Sequence, residues 1–179
     1  LKHEDWVLVN NAVGAWTRRL WDWPQSGCYL GTSGGAGLGY GMGAALGGAL
    51  AQRHMGSGKL CVNLQADGDL LYTPSALWTA AHHRLPLLVI MFNNRTYYNS
   101  EEHAIEVARV RERPVANAGV GTRLDEPPVN FALMAQSFGL YGDGPIDTLE
   151  AIRPALQRAL RVVKEEGRLA LVDIVMQPR

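Results

Sequence analysis

Asn63–Tyr98, NLQADGDLLYTPSALWTAAHHRLPLLVIMFNNRTYY, decides how the rest of the chain is read. A strand runs into Asp67-Gly68, a helix follows, and a second strand, Leu87–Phe92, runs into Asn93-Asn94. The second strand is built almost wholly of Leu, Val, Ile, Met and Phe. A run with no polar alternation is buried on both faces, as in a parallel sheet covered by helices. Two neighbouring parallel strands deliver both loops to one edge of the sheet, where ligands of open α/β sheets sit. There the Asp67 carboxylate and the Asn94 carboxamide oxygen can close on one hard cation. Magnesium prefers six oxygens and often shares them with substrate phosphates, so the pair reads as a grip on a diphosphate.

Outward from this stretch, strands and helices alternate. Strands are expected at Trp6–Asn10, Cys28–Leu30, Leu60–Gln65 and Ala170–Val175, besides Leu87–Phe92. Helices are expected at Asn11–Trp21, from about Gly37 to Arg53, and at Thr73–His83, Val129–Phe138 and Thr148–Glu166. The alternation predicts one α/β domain over 1–179, a doubly wound, mostly parallel sheet with helices on both faces. Residues 99–128 break the pattern with charged helix-like turns and then a Gly/Pro-rich stretch. A segment of that length directly after the Asn pair reads as a lid.

Composition narrows the function. Of 179 residues 47% are hydrophobic, enough for a sizeable core. Lys plus Arg (17) balance Asp plus Glu (17), which leaves no electrostatic footprint for nucleic acid or an anionic membrane. No apolar run reaches the roughly 20 residues that span a bilayer. Cys28 and Cys61 are too few for a disulfide framework and read as buried thiols of a cytoplasmic protein. Asn94-Arg95-Thr96 fits a glycosylation sequon by chance. The chain opens on Leu1 and enters a strand almost at once, so a piece of something longer is expected.

A second constellation is the Gly-rich run Gly31–Gly48, GTSGGAGLGYGMGAALGG. Helix N-termini carry unpaired N–H groups, and glycines let phosphate oxygens approach them. The same run also suits close packing of a small-residue helix. Gly39, Gly41 and Ala44 satisfy a loose dinucleotide fingerprint, but no strong strand leads into it. His82-His83 and the Arg109, Arg111, Arg113 run read as surface groups, His103 as part of the lid. Trp6, Trp16, Trp21, Trp23 and Trp78 read as core or interface anchors.

Leu60–Tyr98 resembles the signature of thiamine diphosphate enzymes, a Gly-Asp-Gly followed one helix and one strand later by Asn-Asn. Gly35–Gly47 is similar to the Gly-rich helix start of the acetolactate synthase, benzoylformate decarboxylase and pyruvate decarboxylase group. GTRLDEPPVNFALMAQSFG, Gly121–Gly139, is similar to that group's helix beyond the lid. The resemblance covers nearly the whole chain and implies the C-terminal, diphosphate-binding domain of a multidomain enzyme.

It implies magnesium held by the side chains of Asp67 and Asn94 and the backbone carbonyl of Thr96. Gly68 and Asp69 offer backbone N–H groups to the diphosphate. Leu38 props the cofactor in a bent conformation, Ala36, Gly37 and Leu38 meet its aminopyrimidine, and Tyr97 and Tyr98 begin the lid. Two positions depart from the pattern. Ala66 replaces the first glycine, which matters only if its φ is positive. Asp69 stands where a small hydroxyl residue is common, and beside a diphosphate it must turn away, bind the metal or pair with a cation.

The implied reaction is decarboxylation or carboligation of a 2-oxo acid, or cleavage of a 2-hydroxyacyl compound. The activating glutamate is expected in a pyrimidine-binding domain of the same or a neighbouring subunit, in a homodimer or homotetramer. Two other readings stay open: a dinucleotide-binding oxidoreductase domain using Gly39–Ala44, and a non-catalytic assembly module with a decayed site.

Overall fold

The computed structural model describes residues 4–10, 17, 19–23, 26–35 and 37–177. Most of the helix expected at Asn11–Trp21, with Trp16, lies outside the described residues, as does Ala36. Five parallel strands form one sheet: β1 (Trp6–Asn10), β2 (Leu60–Ala66), β3 (Leu88–Asn93), β4 (Tyr141–Ile146) and β5 (Ala170–Val175), in the order β1-β2-β3-β5-β4. Leu64 lies opposite Ile90 and Ile90 opposite Val172 on one face, and Val89 lies opposite Leu171 on the other.

The helices are α1 (Tyr40–Met55), α2 (Asp67–Tyr72), α3 (Ala76–His82), α4 (Tyr98–Val110), α5 (Phe131–Ser137) and α6 (Leu149–Arg161), the last continued by a π-turn over Val162–Glu166. One core joins Val7, Cys61, Val89, Met91 and Leu171 to Met42 and Ala45 of α1, Leu70 of α2, Leu77 of α3 and Phe131 of α5. The opposite face joins Leu8, Val62, Ile90 and Val172 to Ala155 and Ala159 of α6. Helices on both faces explain why β3 carries no polar alternation. Trp6 is buried, with Trp21 and Trp23 edge-on at 5.2 and 5.6 Å. Trp78 is 55% exposed and stacks on His82 instead of entering the core.

Several elements differ from expectation. Cys28–Leu30 is not a full strand: Tyr29 makes a single parallel bridge to Leu8. β4 has no counterpart in the sequence reading. It is an edge strand carrying Pro145 and a register shift between Asp143 and Ile146, a place where a sheet tolerates proline. α2 begins where the reading places only a turn. Charged turns within 99–128 form the thirteen-residue α4, which has no buried residue. Among the described residues no helix is long and apolar enough to cross a membrane.

Candidate cofactor-binding site

β2 and β3 are neighbours in parallel register, with Ala66 opposite Phe92, so their carboxyl ends open on the same edge. Ala66 has φ −80° and ψ 147°, ordinary extended backbone. A methyl group costs nothing there, and the departure from glycine is harmless. The chain turns into α2 at Asp67, which is 2% exposed. Its Oδ1 accepts the Gly68 N–H at 2.8 Å and its Oδ2 accepts the Arg95 N–H at 2.6 Å.

Arg95 lies between Asn94 and Thr96, so this second bond seats the β3 loop against the β2 carboxylate. The loop curls tightly: Asn94 Oδ1 accepts the Thr96 N–H at 3.2 Å, and Arg95 is held at φ +58°, a region that side-chain-bearing residues seldom enter. Burial raises the Asp67 pKa above the usual carboxylate value, opposed by the backbone N–H groups of Gly68 and Arg95. Among the described residues no Lys, Arg or His forms an ion pair with Asp67. A buried carboxylate bonded to the turn that carries Asn94 and Thr96 gathers hard oxygen donors at one strand edge, the ligand type that Mg²⁺ takes.

Asp69 resolves differently from Asp67. It is 1% exposed and turns toward the start of α1. Oδ1 accepts the Gly39 N–H at 2.7 Å, Oδ2 accepts the Gly41 N–H at 3.1 Å and Gln65 Nε2 at 2.5 Å. The amides of the glycine fingerprint are therefore engaged from within the chain. The small-residue reading of α1 holds as well, since a Cβ at Gly48 would lie 2.6 Å from Leu30 Cδ1. Leu38, just before the helix, is 47% exposed, and Gly37 donates its N–H to Ser33 Oγ at 3.2 Å.

Tyr97 lies across Gly68. Its hydroxyl donates to the Gly68 carbonyl at 3.3 Å, its ring meets Tyr72 edge-on, and any Cβ at residue 68 would collide with it. Residues 122–124 return alongside the loop. Thr122 O accepts the Tyr97 N–H at 2.8 Å, Arg95 O accepts the Leu124 N–H at 2.7 Å, and Thr96 Oγ1 donates to Glu101 and to Thr122 O. Both ends of the projecting segment are thus tied to the Asn94–Thr96 turn.

Asp173, Gln65 and Asn63 are buried polar groups that were missed in the sequence. Asp173 on β5 is fully buried and accepts Asn93 Nδ2 at 3.0 Å and the Phe131 N–H of α5 at 3.1 Å. Gln65 on β2 links Asn63 Nδ2, at 2.8 Å, to Asp69. The signal was present: one polar residue in the otherwise apolar run ALVDIV and two in LCVNLQA. His82 and His83, together with Arg109, Arg111 and Arg113, are exposed, as their surface reading requires.

Residues 12–174 match the family described as thiamine pyrophosphate enzyme, C-terminal TPP binding domain. The chain belongs to this family. The TPP-binding domain is 31% identical over 155 residues to a benzoylformate decarboxylase of Pseudomonas aeruginosa, covering 86% of this chain and 25% of that protein. A Mycobacterium tuberculosis protein assigned as an acetolactate synthase large subunit, IlvX, matches at 28% over 155 residues, 83% of this chain and 27% of its own. Among solved structures, a thiamine diphosphate-dependent 4-hydroxybenzoylformate decarboxylase of Rhodococcus jostii RHA1 superposes with a TM-score of 0.70 at 24% identity, over 97% of this chain and 29% of that one. The TPP-binding domain spans about a quarter of the length of the two relatives.

Proposed function

We propose that this domain holds thiamine diphosphate through Mg²⁺ and forms the diphosphate-binding half of a carbon–carbon lyase or ligase. The observation that carries the reading is the 2.6 Å bond from the Arg95 N–H to Asp67 Oδ2, because it brings the two strand-end loops together around one buried carboxylate. Asp67 supplies the charge, Asn94 and the Thr96 carbonyl supply neutral oxygens, and the Asp69 N–H serves the diphosphate, joined by the Gly68 N–H only once that group leaves Asp67 Oδ1. Gly37 and Leu38 face the aminopyrimidine, with the exposed Leu38 side chain as the prop. Tyr97 and the 99–128 segment close over the site as a lid.

When bound, the cofactor supplies a carbon nucleophile and an electron sink for cleaving or joining bonds next to a carbonyl. The substrate class is a 2-oxo acid or a 2-hydroxyacyl compound. The domain works with a pyrimidine-binding domain of the same or a neighbouring subunit, which brings the activating glutamate, in a homodimer or homotetramer. Residues 1–179 supply the diphosphate half of the cofactor site, and turnover needs the pyrimidine-binding domain as well.

A dinucleotide at the start of α1 would have to displace Asp69 from the Gly39 and Gly41 amides, which disfavours the oxidoreductase reading. Ala66 in ordinary extended backbone and Asp69 turned away from the strand-end loop remove the two grounds for a decayed site. Thermal melts with thiamine diphosphate plus Mg²⁺, with either alone, and with NADH test the proposal. Stabilisation only by the complete pair supports it; stabilisation by NADH alone contradicts it.

A further inference from the structure

Helix α1 begins at Tyr40 behind Gly39, which sits at φ +88° and has no side chain with which to cap the helix. The first amides of a helix need partners from elsewhere. They find one thirty residues along the chain, in Asp69, whose two oxygens take the Gly39 and Gly41 N–H groups. A carboxylate suits the positive end of a sixteen-residue helix. The joint is tight: a Cβ at Gly41 would lie 2.6 Å from Asp69 Oδ2 and 2.5 Å from Gln65 Oε1. Gly39 is gripped from its other side too, where Thr73 Oγ1 donates to its carbonyl at 3.4 Å. Asp69 and Thr73 belong to the segment that opens with Asp67, and Gly39 directly follows Gly37 and Leu38.

We propose that Asp69 is a positioning residue. Its side chain replaces an external anion at the start of α1 and locks the Gly37–Leu38 loop to the strand end that carries Asp67. The two parts of the cofactor site, one facing the diphosphate and one facing the ring system, then keep a single relative geometry. This rests on the function proposed above, in which both parts touch the same cofactor. It also accounts for a carboxylate at a position where the family commonly has a small hydroxyl: the group serves the helix and not the diphosphate.

The test compares two probes on the full chain by calorimetry with Mg²⁺ present. Inorganic pyrophosphate engages the strand-end loops alone, whereas thiamine diphosphate needs those loops and Leu38 together. In Gly41→Ala, which keeps every charge yet forces the Asp69 joint apart, thiamine diphosphate affinity should fall by about tenfold or more while pyrophosphate affinity stays within about threefold. Asp69→Ala is the second variant. It should lose thiamine diphosphate affinity, and added formate should restore part of the loss by refilling the cap. Equal losses for both probes, or no loss in either variant while the unaltered chain binds both, overturn the positioning role and leave the cofactor assignment standing. An unaltered chain that binds neither probe overturns the assignment and the positioning role together.

Discussion

Asp173 Oδ1 accepts a hydrogen bond from Asn93 Nδ2 at 3.0 Å, joining the end of β3 to β5 directly behind the Asn94–Thr96 turn. The other oxygen takes the Phe131 N–H, where the chain re-enters the core after the projecting segment. One buried carboxylate therefore holds both the strand that leads into Asn94 and the helix that follows the projecting segment. Asp173→Ala would leave two buried donors unpaired, each costing about 1–3 kcal/mol. Urea unfolding should show a loss of about 2–5 kcal/mol, and Asp173→Asn a smaller one because an acceptor remains.

Burial raises the pKa of both Asp173 and Asp67. Their native carboxyl groups hold protons more tightly than the unfolded ones, so the native state binds more protons in this window. Their contribution to stability is full below the unfolded value of about 3.9 and is lost as pH rises through the raised native values. Urea melts of the chain without ligand between pH 4 and 7 should show stability falling with pH from these groups, and Asp67→Asn should flatten that slope. Cation binding needs the charged carboxylate, so Mg²⁺-dependent affinity should rise over the same range.

Asp67→Asn removes the charge while keeping the shape. The chain without ligand should melt within a few degrees of the unaltered one, since relief of a buried charge offsets one donor left facing the amide nitrogen. Stabilisation by thiamine diphosphate with Mg²⁺, about 2.7 kcal/mol at a hundredfold excess over Kd, should vanish. Differential scanning calorimetry of both forms checks it.

Gly68→Ala drives a methyl group into the Tyr97 ring. Overpacking of this kind costs about 1–3 kcal/mol. Gly68→Ala combined with Tyr97→Ala should recover most of the loss, a coupling that a double-mutant cycle measures directly.

Cys61 is buried and its thiol is pushed up to about 12 by burial. Cys28 is also buried. Cys61 should not react with a thiol-specific disulfide reagent at pH 8 until denaturant is added, because the thiolate is the reactive form, and Cys28 should stay unlabelled because burial keeps the reagent out.

How much of this was legible follows from where each residue sits. β3 declares itself because LVIMFN is packed from both faces, and α1 because its small residues recur toward the sheet. β4 does not, because an edge strand is half-solvated and can carry YGDGPI, residues that otherwise spell a turn. α2 was hidden by Asp-Gly-Asp, whose helical start depends on the Ala66 backbone and on Asp69 reaching α1. α4 lacks a buried face and so lacks the apolar periodicity that marks a helix. The meeting of the two strand-end loops, seen in the Arg95 N–H bond to Asp67, was readable from spacing along neighbouring strands. The turning away of Asp69 was not, because it depends on contacts between distant parts of the chain.

The most direct measurement replaces Mg²⁺ with Mn²⁺ and locates it by anomalous diffraction in crystals grown with thiamine diphosphate. The account predicts one strong peak within coordination distance of an Asp67 carboxylate oxygen, the Asn94 carboxamide oxygen and the Thr96 carbonyl. A peak away from these three groups, with the cofactor bound, would contradict it.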